Sequence, residues 1–179
     1  MPALSRRQAL ALVGGGLTLP ATAGAAAARG AVPRAPVGIE IRSFPINAFM
    51  PREAEKTQFG AFEYRGGLEL QSDYRGFGGL SSLRTDATGQ RLTAISDQGQ
   101  WLTAKIDLEA GRLSRLSEAR MAAVLGPGGR PLARTGDWDT ESLWIEGGTA
   151  WIGVERTHRI FRFDTFGREG VLARGTPTP

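Results

Sequence analysis

The chain has 179 residues, 41% of them hydrophobic, which is enough for one packed domain and too apolar for a disordered tail. Its 22 basic residues against 18 acidic ones give a net charge of +4, and cysteine is absent, which excludes a disulfide frame, a thiolate metal site and a cysteine nucleophile. The positive charges are arginines dispersed among carboxylates, Lys56 and Lys105 excepted, so there is little support for a nucleic-acid partner.

Met1 to Arg7 is a short basic stretch containing Ser5-Arg6-Arg7. An apolar run from Ala9 to Leu19 follows, then Pro20 and small residues through Ala28. This three-part form predicts an export signal over residues 1–28, with Ala23-Gly24-Ala25 as the cleavage site. The paired arginines resemble a twin-arginine signal. The apolar run is shorter than the ~20 residues of a membrane span, so no stable span is expected, and export would place the mature protein in the periplasm or outside the cell. Without Arg6 and Arg7 the chain has 20 basic against 18 acidic residues, a net of +2.

Residues 29–36 read as an Ala/Arg/Pro linker and residues 37–179 as the mature domain. The 25 glycines and 10 prolines are scattered, as in an all-β domain with many tight turns. Gly38 to Ile46 alternates apolar and polar residues and predicts a first strand, with Pro45 marking an edge. Pro51 to Thr57 breaks the pattern and reads as a loop with a turn of helix. Phe59 to Leu70 reads as a hairpin about Gly66-Gly67.

Leu80 to Leu83 and Leu92 to Ile95 are strands on either side of the turn Asp86-Ala87-Thr88-Gly89. Asp97-Gln98-Gly99 leads to another strand over Trp101 to Leu108, and Leu113 to Leu116 returns. The alanine-rich Ala119 to Leu125 reads as helix. Glu141 to Glu146, the Gly147-Gly148 turn and Ala150 to Glu155 form a hairpin, with Arg159 to Asp164 as a third strand. Strands of about five residues at about ten-residue spacing, joined by short turns, predict antiparallel meanders, in a sandwich or a propeller.

Certain stretches, in this order, carry a resemblance: Gly78-Gly79-Leu80-Ser81-Ser82-Leu83, then Leu92 through Ser96-Asp97-Gln98-Gly99, then Asp139-Thr140-Glu141-Ser142-Leu143, then Val154-Glu155-Arg156-Thr157-His158-Arg159-Ile160. The set resembles the phytase-like family of bacterial secreted proteins, described as having esterase-like activity, over about Phe77 to Asp164. The resemblance implies a β-propeller built from four-stranded meanders, of which this chain holds about three blades. It also implies that Gly175 to Pro179 opens an inter-blade loop, and that the ring is completed by self-association or by a second chain.

In such a propeller, loops at one face converge. Asp97, Asp137, Asp139, Glu141 and Glu155 all sit at strand ends or turns, although any one of them alone reads as a solvated turn residue. Asp97, Asp139 and Glu141 are the candidate metal ligands, for a hard cation such as calcium that takes oxygen donors. His158, Glu155 and Arg156 are the candidate catalytic residues, with Arg156 on an anionic group and His158 as general base for a small-molecule phosphate or other ester. The alternative class is a non-catalytic binding or scaffold module of the cell envelope.

A serine-hydrolase reading of Ser81 or Ser82 lacks the glycine of a nucleophile elbow, because Leu83 stands in its place. Trp144 and Trp151, at strand positions, are expected to pack between sheets. Trp138, in a polar loop, is expected at the surface.

Overall fold

The computed structural model describes residues 35–179. The export signal and most of the linker lie outside the described residues. The strands in chain order are β1 (Val37–Gly38), β2 (Arg42–Ile46), β3 (Gln58–Phe59), β4 (Phe62–Glu63), β5 (Gly67–Gln71), β6 (Leu80–Thr85), β7 (Arg91–Ser96), β8 (Gln100–Glu109) and β9 (Arg112–Ala123). They continue with β10 (Thr140–Glu146), β11 (Thr149–Val154), β12 (Arg159–Phe163) and β13 (Thr176–Pro177). All pair antiparallel, so the all-β expectation holds.

Two sheets dominate. The first has the order β1-β9-β8-β7-β6 and the second the order β10-β11-β12-β13. Apart from β1, which joins β9 from far upstream, and β13, which returns after residues 164–175, sequence neighbours pair in both sheets, because turns of two to five residues leave no length for a crossover. Ile95 and Trp101 of the first sheet share one buried cluster with Leu143, Ile152, Phe161 and Phe163 of the second. Trp101 is fully buried there, with its ring centroid 5.8 Å from that of Phe163 and 5.0 Å from that of Phe166. On its other side the first sheet buries Leu92, Ala94, Leu102, Ala104 and Met121 under Ile39, Ile41, Leu70, Tyr74 and Phe77.

The structure corrects four expectations. Gly66-Gly67 does not turn a hairpin: β5 pairs with β2, and β4 pairs with β3. The first strand divides into β1 and β2, which join different sheets. Ala119 to Ala123 is strand and not helix, because it continues β9 beside β8 with Met121 opposite Leu102. Residues 175–179 are not an open loop, since Thr176–Pro177 closes the second sheet as its fourth strand. Pro45 does lie in a two-stranded edge ribbon, and Pro51–Glu53 is a single 3-10 turn. No described helix is long and apolar enough to cross a membrane.

Candidate functional site

The first hairpin of each meander follows one template. Gly79 (φ 57°) and Asp139 (φ 71°) both take the left-handed conformation just before the opening strand. Each opening strand then carries a register shift, between Leu80 and Ser82 in β6 and between Thr140 and Ser142 in β10. The Asp97 N–H donates to the Gly79 carbonyl at 2.8 Å, and the Glu155 N–H donates to the Asp139 carbonyl at 3.0 Å. Gly79 therefore corresponds to Asp139, Ser81 to Glu141, Ser82 to Ser142 and Asp97 to Glu155. The sequence carries a faint trace of this repeat in Ser82-Leu83 and Ser142-Leu143. Differing turn lengths hide the rest.

The two templates are stitched to each other. The Asp139 and Thr140 N–H groups both donate to the Asp97 carbonyl, at 2.7 and 3.3 Å. Thr140 Oγ1 donates to the Ser96 carbonyl at 2.5 Å, and Ser81 Oγ donates to the Thr140 carbonyl at 2.6 Å. Backbone bonds thus run from Gly79 through Asp97 and Asp139 to Glu155, and they fix those three carboxylates at one end of the sheet pair. Glu141 completes the group from the bulge of β10, where an extra residue re-aims a side chain.

The carboxyl of Glu141 titrates above the usual range. Loss of solvent is the largest cause even though the residue stays exposed, and the negative charges of Asp139, Glu155 and Asp97 follow in that order. Asp97 Oδ1 is buried without a hydrogen-bond partner beside Gly79, where an added Cβ would overlap the carboxylate. Oxygen-only donors with unrelieved repulsion have the chemistry of a hard-cation site. Among the described residues, however, no three His, Asp or Glu side chains are gathered closely enough to hold a metal ion.

A family model for phytase-like proteins, described as esterase-like activity of phytase, matches residues 75–179. The chain belongs to the phytase-like family. No curated protein and no solved structure matches it. The family match begins just before β6 and covers both hairpin templates, whereas β1 to β5 precede it.

In this phytase-like chain the remaining predicted residues are held in distinct ways. Arg156 stacks its guanidinium over the Trp138 ring, 5.0 Å from the centroid, and among the described residues it makes no ion pair. Asp137 is taken up by its own partners: its Oδ1 accepts from Thr157 Oγ1 at 2.8 Å and from Arg159 at 3.3 Å, which pins the two loops together. His158, at φ 51°, ends the β11–β12 loop, and its imidazole makes no hydrogen bond or ion pair among the described residues.

Ser82 Oγ accepts from the Leu143 N–H at 3.1 Å. With Ser81 bonded to Thr140, both serines serve the junction between sheets. The Trp138–Arg156 stack was not predictable, because cation–π pairing between two loops leaves no sequence period.

Proposed function

We propose that this phytase-like protein hydrolyses phosphate or other small esters at the loop end where Asp97, Asp139, Glu141 and Glu155 meet. The observation that carries the reading is the convergence of carboxylates from two equivalent hairpins, with Glu141 raised in pKa by loss of solvent first and by its acidic neighbours second. Perturbed groups of this kind concentrate at functional sites. The raised pKa lets Glu141 keep a proton at higher pH than an ordinary glutamate.

Four carboxylates repel an anionic ester, so the reading calls for a cation such as calcium. Asp97, Asp139 and Glu141 would hold it, drawn together from their present spacing. When bound, such an ion supplies Lewis-acid polarisation of a phosphoryl or carbonyl oxygen. Arg156 presents the edge of its guanidinium, with one face covered by Trp138, and suits an oxyanion at the rim. His158 and Glu155 are kept as candidates for proton transfer.

The two meanders are read as adjacent blades of a propeller. The close approach of opening strands β6 and β10 and the face-to-face core support that arrangement. The export reading of residues 1–28 supports a periplasmic or secreted location.

A second reading, a non-catalytic cell-envelope binding module, is favoured because no metal cage is gathered among the described residues. Thermal melts with and without millimolar calcium, together with assays on a phosphate monoester and an acyl ester, separate the two. The hydrolase reading expects calcium to raise the melting temperature by several degrees in the native protein and by none in Asp97→Ala or Glu141→Ala. An absent shift together with absent hydrolysis would leave the binding module.

A further inference from the structure

The repeat shows how each sheet face is meant to be covered, and one face breaks the pattern. In the first sheet, the side bearing Ile95 and Trp101 packs on the second sheet, and the opposite side is covered by Ile39, Ile41, Leu70, Tyr74 and Phe77. Aligning the hairpins makes Gly153 and Ile160 the counterparts of Ile95 and Trp101, since Ile95 pairs with Trp101 and Gly153 with Ile160. The counterpart face of the second sheet therefore carries Ile160 and, one row along, Trp144, Trp151 and Arg162. The face is largely open: Trp144 stays 51% exposed beneath the Arg84 guanidinium, and Ile160 is 50% exposed. An expectation fails here, because neither Trp144 nor Trp151 packs between the sheets.

We propose that this outer face of the second sheet is a self-association surface, covered by the same face of a second copy of the chain. Three features argue for a second copy. The face continues, through the repeat, a contact that the chain already makes with β-sheet, and an aromatic patch of this kind on a sheet face marks an interaction site. The first-sheet face onto which a further sheet would stack is closed by Ile39, Ile41, Leu70, Tyr74 and Phe77, which leaves two copies a meeting of like faces about a two-fold axis.

The charge pattern fits that axis. The row runs Trp144 on β10, Trp151 on β11 and Arg162 on β12. A two-fold along β11 lays Arg162 of each copy on Trp144 of the other and sets the Trp151 rings together, which pairs a cation with an indole twice. Arg84 lies over the Trp144 ring at 5.0 Å from the centroid, and the ring's remaining exposure is what the partner's arginine would cover. The proposal stands apart from the hydrolase reading, since none of these residues belongs to the carboxylate group.

The test is sedimentation velocity of the full chain over micromolar to hundred-micromolar concentration, for the native protein, Trp144→Glu, Ile160→Asp and Arg162→Glu. The native protein is expected to move from monomer to dimer. Each variant should weaken the dimer at least tenfold while keeping the native circular dichroism, and Trp144→Glu and Ile160→Asp, which alter half-exposed side chains, should keep the native melt, whereas Arg162→Glu also breaks the Arg162–Asp164 ion pair. Exchanging Phe62, an exposed aromatic far from this face, for Ser should leave the dimer intact. A native protein that stays monomeric throughout overturns the proposal and leaves the face to a sheet of a different chain. So does a dimer that survives Trp144→Glu and Ile160→Asp.

Discussion

Asp139 performs the backbone task of Gly79 with a side chain that the conformation disfavours. At φ 71° an aspartate is strained relative to glycine by about 0.5–1 kcal/mol, and its side chain accepts no hydrogen bond among the described residues in return. It also adds to the repulsion that raises the pKa of Glu141. A carboxyl whose folded pKa lies above its unfolded value binds its proton more tightly in the folded state. Its contribution is present below the ordinary glutamate range and is lost as pH rises through the raised value. Asp139→Gly should therefore raise stability by about 1 kcal/mol at pH 7, a shift of about 2–4 °C, while hydrolysis is lost. The gain should shrink at pH values below the carboxyl range, where Glu141 is neutral and only the backbone term remains. Melting curves at the two pH values check this, and a destabilised or pH-independent variant contradicts it. Asp97, Asp139, Glu141 and Glu155 were legible in the sequence as carboxylates at turns. Their convergence was expected only through the propeller resemblance, because the tie between their backbones is the Asp97 carbonyl accepting from Asp139 and Thr140, a bond between sheets that no local pattern encodes.

At the scale of elements, the hairpins β6–β7 and β10–β11 were readable because alternation and Gly or Asp turns act over a few residues. The errors came where pairing partners are distant. Ala119 to Ala123 has helical composition, yet β8 offers it a ladder of hydrogen bonds and a buried groove, and tertiary context overrides a propensity of a few tenths of a kcal/mol per residue. Residues 67–71 alternate well enough, but which strand they join is set by β2, some 25 residues upstream. The contact that gives β8 its place is Trp101, the fully buried ring between the sheets. Trp101→Ala should cost about 3–5 kcal/mol in urea titration, since it opens a cavity against Phe163 and Phe166. Trp101→Phe should lose far less, because the indole Nε1 it removes is buried without a partner. A loss below about 1 kcal/mol for the alanine variant would mean that the sheet pair is held elsewhere.

For the molecule as a whole, the question is why residues 37–74, which precede the family match, should be needed at all. The first sheet has two apolar faces, and the second sheet covers only one of them. Ile39, Ile41, Leu70 and Tyr74 close the other. Their ribbon is anchored by Ser43 Oγ accepting from the Leu116 N–H at 3.2 Å and by Ser72 Oγ donating to the Glu40 carbonyl at 2.6 Å. Burial of partly covered Leu and Ile side chains contributes about 1–2 kcal/mol each, so Ile41→Ser combined with Leu70→Ser should destabilise the protein by about 2–4 kcal/mol. It should also expose Leu92, Leu102 and Met121 to a hydrophobic dye below the melting temperature. The carboxylate group is held by the β6 and β10 hairpins and does not touch this cover, so any calcium response should persist in the double variant until it unfolds. Dye binding measured beside the calcium-dependent melt distinguishes a cover that seals the sheet from one that builds the site. A calcium response lost before dye binds would assign residues 37–74 to the site itself.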